Sequence, residues 1–115
     1  MGEKRVEITK VAVIGGGTMG SGIAEVCAKS GLDTIVMEPE AAAAEAAQAR
    51  INGSMDKAVA RGRLSEEDRA TTGALLSYTT DINALSDRDL VIEAIVENEQ
   101  IKLDLFKRLD EVTPE

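Results

Sequence analysis

Three glycines constrain this chain more than any other feature. Gly15, Gly17 and Gly20 stand in the spacing G-x-G-x-x-G, between two segments of different periodicity. Before them, residues 9–14 read TKVAVI, a short β-branched run of the kind that forms a buried parallel strand. After them, Met19, Ile23, Val26 and Cys27 recur at i, i+4, i+7 and i+8, the spacing of a helix with one buried face. Gly31 follows as a left-handed cap. In a strand–turn–helix unit each glycine has its own reason. Gly15 permits the tight turn, Gly17 lets the backbone approach a pyrophosphate with no Cβ between, and Gly20 lets the helix lie close on the strand. The anion is then expected on the N–H groups that open the helix.

Residues 33–38, DTIVME, read as a second strand that Pro39 stops. Glu38 lies eighteen residues past Gly20, where a carboxylate accepts hydrogen bonds from an adenosine ribose. It would also repel a 2′-phosphate, and no Lys or Arg follows within ten residues to offset that. NAD is therefore expected rather than NADP. The alternative is a solvated Glu at a strand end.

Residues 40–60 have very high helix propensity, and at 1.5 Å per residue such a helix is about 30 Å long. It is expected to project beyond a small sheet. Gly62 ends it, and Ser65 with Asp68 three residues on opens a further helix. A weaker strand at 75–79, a helical turn at 81–85 and a strand at 90–96 follow. Over 98–112, Ile101, Leu105, Leu109 and Val112 predict an amphipathic helix. Strands alternating with helices predict an α/β fold, a parallel sheet with flanking helices and a protruding helical arm, in strand order 3-2-1-4. The sequence stops after the last helix, so the fold reads as truncated before its later strands. A crevice is expected at the carboxyl ends of strands 1 and 4. Glu97 and Lys102 fall beside it, on the nicotinamide side, or are ordinary surface charges at a helix start.

Composition narrows the partners. With 21 Asp and Glu against 13 Lys and Arg the net charge is -8, and the only aromatics are Tyr78 and Phe106, which disfavours nucleic acid. One region runs against the trend: residues 50–63 carry Arg50, Lys57, Arg61 and Arg63 against Asp56 alone. Ser54, Lys57 and Arg61 share a helix face at i, i+3 and i+7, either a site for a phosphorylated ligand or a solvated face. No apolar run reaches the ~18 residues of a membrane span, and residues 11–14 are too short for the core of a secretory signal. There is no His, which excludes from this chain a Ser-His-Asp relay, His-ligated metal and imidazole acid–base chemistry. The single Cys27 fits a reducing, cytoplasmic setting and is expected to be a small core residue.

The stretches VAVIGGGTMGSGIAEVCAKSGLDTIVMEPE, NGSMDKAVARGRLSEED and DLVIEAIVENEQIKLDLFKRLDEV resemble the NAD-binding amino-terminal domain of the 3-hydroxyacyl-CoA dehydrogenases, including the bacterial 3-hydroxybutyryl-CoA enzymes. The GGGTMG loop and the IEAIVEN segment carry the likeness; hydroxyisobutyrate dehydrogenases usually have a GLGxMG loop and lack the long second helix. The resemblance implies a Rossmann-type domain over residues 1–115. In it Gly15, Gly16, Gly17, Thr18, Met19 and Gly20 hold the pyrophosphate of NAD, and Glu38 takes a ribose-binding position usually held by Asp. It also places Glu97 and Lys102 near NAD, and Ser54 and Arg61 on the coenzyme A of an acyl-CoA substrate, Arg61 standing where a Lys is often found. The helices at 40–61 and 65–73 would form the arm under that coenzyme. The family's Ser-Asn-Thr segment and its His–Glu pair find no match here. The implied reading is an enzyme of fatty-acid or butanoate metabolism, a cytoplasmic homodimer at full length, whose catalytic and dimerisation domain is absent from these residues. The 115 residues alone are then expected to be inactive. Two alternatives stay open: a non-catalytic module that senses NAD or acyl-CoA, and the amino-terminal half of an NAD dehydrogenase for a smaller hydroxy acid.

Overall fold

The computed structural model describes residues 8–15, 17–95 and 100–105. Along the chain run β1 (Lys10–Ile14), α1 (Thr18–Lys29), β2 (Asp33–Met37), α2 (Ala41–Ala60), α3 (Glu66–Ala74), β3 (Leu76–Thr79), a 3₁₀ turn (Ile82–Leu85), β4 (Leu90–Ile95) and β5 (Gln100–Leu105). They form one sheet in the order β3-β2-β1-β4-β5, with β1 to β4 parallel as the alternating pattern requires. β1 lies at its centre. Val11 and Val13 point into a core with Ala24, Ala47, Ile51 and Met55, while Ala12 between them points to the opposite face with Met37, Leu85 and Val91. The apolar run of β1 is thus a strand covered on both sides, each face taking alternate residues.

Two expectations fail, each for a physical reason. The buried face of α1 is Gly20, Ser21, Ala24, Glu25 and Ala28, not the stripe of larger apolar residues. Ile23 and Cys27 only flank the core, and Val26 is 62% exposed. Close approach of α1 to the sheet admits glycine and alanine at Gly20, Ala24 and Ala28 and pushes bulky side chains to the flanks. The second failure lies in the segment expected as a helix from 98: residues 100–105 form β5, antiparallel to β4, pairing from Leu90 with Leu105 to Ile95 with Gln100. The sequence QIKLDL alternates apolar and polar residues as well as placing Ile101 and Leu105 at helical spacing. The open edge of β4 satisfies the backbone groups of a strand and selects the period of two. Residues 106–112 of the expected helix lie outside the described residues.

α2 buries Ala44, Ala47, Ile51 and Met55 against the sheet. Its 20 residues span about 30 Å, against about 17 Å for the five residues of β2, so the end of the helix beyond Met55 runs past the sheet and α3 returns beside it. Ser65 caps α3, its hydroxyl accepting from the Asp68 amide at 2.9 Å, as its position indicates.

At the amino end of β1 two buried charged residues fasten three strands. The Asp89 carboxylate accepts from the amides of Thr9 at 2.9 Å and Lys10 at 3.1 Å, and its own amide donates to the Lys10 carbonyl at 2.8 Å. The Arg88 guanidinium, 4% exposed, donates to Asp33 Oδ1 at 2.9 Å and to the Asp33 carbonyl at 3.1 Å. Among the described residues no helix is long and apolar enough to cross a membrane.

Candidate functional site

At the carboxyl end of β1 the chain brings three backbones together. Ile14 pairs with Met37 on β2 and with Glu93 on β4. Gly15 then turns with φ +97°, a left-handed conformation that side chains disfavour, and its amide donates to the Met37 carbonyl at 3.0 Å. A Cβ on Gly15 would stand 2.8 Å from the Ala94 carbonyl oxygen, and one on Gly20 would collide with the Gly15 carbonyl oxygen. The turn and the first turn of α1 are therefore one close-packed object that only glycine permits at these two positions.

Gly17 is the N-cap of α1 and provides no side-chain cap, and no acidic residue occupies the first turn. The leading amides of α1 are consequently left without a side-chain acceptor, beside a positive helix terminus. A shallow, side-chain-free cradle with uncompensated donors suits a diphosphate bridge, so these residues fit the pyrophosphate of NAD. Thr18 is exposed and Met19 half-buried at its rim, and Gly16 lies outside the described residues.

Glu38 is the residue after β2. Its amide donates to the Thr79 carbonyl at 3.0 Å, extending the sheet by one rung, and the Ile14–Met37 register sets Glu38 beside Gly15. Loop and carboxylate are brought together, as their separation in sequence suggests. Glu97 lies outside the described residues. Lys102 stands on β5 opposite Glu93, with its Nζ 3.9 Å from Glu93 Oε1, and Glu93 in turn pairs with Ile14. It reaches the neighbourhood of the open end of β4 on a strand rather than a helix.

A second concavity lies between α1 and α2. It has a volume of about 620 Å³ and brings Arg50, Gly53, Ser54 and Lys57 of α2, with Arg61 at its C-cap, onto one wall, with Lys29 opposite on α1. The i, i+3, i+7 spacing of Ser54, Lys57 and Arg61 thus becomes a shared surface. Five cations line the crevice against one carboxylate, Glu25, which Lys29 approaches at 3.2 Å. Lys57, Arg61 and Arg63 form no ion pair with any described residue, which is notable in a chain with a net charge of -8. Lys29 and Glu25 were not legible as members of this group. Their membership depends on which face of α1 turns toward α2, and the apolar stripe pointed to the wrong one.

Cys27 is half-buried against the core, and burial raises its thiol pKa, which keeps it protonated and unreactive at neutral pH. Among the described residues no group of His, Cys, Asp and Glu is arranged to hold a metal ion.

The profile of the family described as "3-hydroxyacyl-CoA dehydrogenase, NAD binding domain" matches residues 10–115. A 3-hydroxybutyryl-CoA dehydrogenase of Mycobacterium tuberculosis is 49% identical over 105 residues, 91% of this chain and 37% of that protein. The crystal structure of M. tuberculosis FadB2 superposes with a TM-score of 0.76 at 50% identity, covering 78% of this chain and 32% of that one. That of Ralstonia eutropha (S)-3-hydroxybutyryl-CoA dehydrogenase superposes with a TM-score of 0.76 at 36% identity, covering 80% of this chain and 32% of that one. The chain thus spans little more than a third of the length of the curated relatives it matches. With a mostly parallel sheet, a glycine turn that excludes side chains and a family match over nearly its whole length, the chain belongs to the NAD-binding domain family of the 3-hydroxyacyl-CoA dehydrogenases.

Proposed function

We propose that the chain supplies the NAD-binding part of a 3-hydroxyacyl-CoA dehydrogenase acting on 3-hydroxybutyryl-CoA or a similar acyl thioester. The observation that carries this reading is the meeting of the Gly15 and Gly20 backbones under an uncapped α1, with Glu38 on the adjoining rung. Bound NAD supplies a nicotinamide that exchanges hydride with C3 of the 3-hydroxyacyl group. Residues 15–20 hold its pyrophosphate on backbone amides. Glu38 accepts from the adenosine ribose hydroxyls and turns away a 2′-phosphate by charge. Glu97 and Lys102 border the nicotinamide side. Ser54 donates to the coenzyme A portion of the substrate and Arg61 neutralises one of its phosphates, each from the crevice between α1 and α2.

None of the 115 residues is a His, so the group that takes the hydroxyl proton comes from elsewhere in the longer protein, in our reading a second domain that also forms a homodimer. The relatives' greater length supports that division of labour. A lone, half-buried Cys27 fits a reducing compartment such as the cytoplasm. Calorimetric titration of the chain tests the cofactor assignment: NAD is expected to bind at least tenfold more tightly than NADP, and equal affinities would overturn the role of Glu38. With acetoacetyl-CoA and NADH the chain alone should leave absorbance at 340 nm constant. Turnover by these 115 residues would refute the assignment of the proton acceptor to a second domain.

A further inference from the structure

We propose that β5 is an interaction surface for a second copy of this chain: two copies pair their β5 strands antiparallel about a two-fold axis at Leu103, joining two five-stranded sheets into one. β5 stands at the end of the order β3-β2-β1-β4-β5, so one side of its six residues bonds to β4 and the other has no strand beside it among the described residues. Such an edge offers a row of backbone donors and acceptors to any strand that can align with it. The opposite edge is less open. β3 has four residues, and its Leu76 and Tyr78 are packed against the core.

The two faces of β5 carry different chemistry. Among the large apolar residues that stand exposed in the described part of the chain, Ile101 at 51% and Leu103 at 61% both lie on this strand. Ile101 pairs with Ala94 and Leu103 with Ile92, so both share the sheet face on which Ile92 is buried with Ala24 of α1. The apolar face of the core thus runs on to the edge without a cover. Lys102 lies on the other face, its Nζ 3.9 Å from Glu93 Oε1 and its side chain 62% exposed. A pair that long and that exposed leaves the ammonium room for a second carboxylate.

Charges at an edge ordinarily keep strands apart, and here they select one arrangement over its competitors. With two copies parallel and in register, or antiparallel with either Lys102 or Asp104 on the axis, like charges face each other, which destabilises a sheet. With Leu103 on the axis, Lys102 stands opposite the partner's Asp104, and Asp104 opposite the partner's Lys102. Leu103 then meets its own copy, and Ile101 comes opposite the partner's Leu105. Opposite charges on one face and apolar pairs on the other stabilise an antiparallel pair. The glycine turns of the two copies lie toward opposite ends of the joined sheet, and the pairing stands apart from the cofactor assignment.

A strand edge is a small interface, so the 115-residue chain should pass from monomer to dimer between about 5 and 500 µM in sedimentation velocity. A monomer throughout overturns the proposal. Asp104→Lys and Lys102→Asp should each weaken association roughly tenfold, because both cross-strand charge pairs become like-charged. An equimolar mixture of the two variants should associate as the wild type does, since each then supplies the charge the other lacks. In a Cys27→Ala background, Leu103→Cys should form a covalent dimer with the oxidant diamide, because facing Cα atoms stand about 4.5–5.5 Å apart, within reach of a disulfide. Ile101→Cys should not, being about 13 Å along the strand from its own copy. A dimer that ignores the charge variants, a mixture that stays monomeric, or equal cross-linking through Ile101→Cys shows that β5 does not pair in this register and overturns the proposal. The cysteine variants each alter one exposed side chain of β5, so they decide the question even where a charge variant fails to fold, which its thermal midpoint reports.

Discussion

The two ends of β1 treat polar groups in opposite ways. At the amino end the buried charges meet donors and acceptors: Thr9 and Lys10 amides donate to the Asp89 carboxylate, and Arg88 donates to Asp33 and to backbone carbonyls. At the carboxyl end the Gly17 N-cap leaves the opening amides of α1 without a side-chain partner. One end uses buried charge to fasten the chain to itself; the other removes side chains so that backbone donors face outward. Strength at the first end should therefore be separable from binding at the second.

The largest expected effect breaks the fastened end. Asp89→Ala leaves the Thr9 and Lys10 amides without an acceptor and should cost about 3 kcal/mol in chemical unfolding, the scale of losing hydrogen bonds to a buried charge. NAD affinity of the folded fraction should not change; a parallel loss would show that the two ends are coupled. Gly20→Ala should change stability and binding together. The added methyl meets the Gly15 carbonyl and should cost about 2 kcal/mol of stability by overpacking, with loss of NAD binding measured by titration. Retained NAD affinity would show that the turn can shift without harm. Glu38→Ala should leave stability nearly unchanged and weaken NAD by about 1.5 kcal/mol, with NADP gaining relative to it.

The smallest effect concerns Asp87, whose hydrogen bonds to Arg88 and Lys10 hold its carboxyl below its ordinary pKa. Its contribution is present above the ordinary carboxylate range and is lost as pH falls through the lowered value. The group is well exposed, so Asp87→Asn should cost no more than about 0.5 kcal/mol at pH 7. That difference should vanish below pH 3 in pH-dependent unfolding. A constant difference down to that pH would show that charge is not what Asp87 contributes.

The carboxyl end of β1 was the more legible of the two. A glycine spacing placed between a strand pattern and a helix pattern specifies a local geometry, and Gly15, Gly20 and Glu38 arrive where that geometry needs them. Arg88 and Asp89 had no such signature, because their partners are about 55 to 80 residues away and two adjacent charges look like any solvated pair. The face of α1 was misread for a related reason: the sheet selects small residues for contact, and small residues contribute little to an apolar stripe. β5 was misread because one hexapeptide satisfies both periods, and only the edge of β4 decides between them. The basic face of α2 was visible as a row, while the wall opposite it was not.

Because the Gly15 amide bonds to the Met37 carbonyl, the glycine turn and Glu38 are neighbouring rungs of a single ladder and cannot drift apart. A dinucleotide held on these two rungs asks for no movement between them, so residence time rather than the rate of capture should distinguish a good dinucleotide from a poor one.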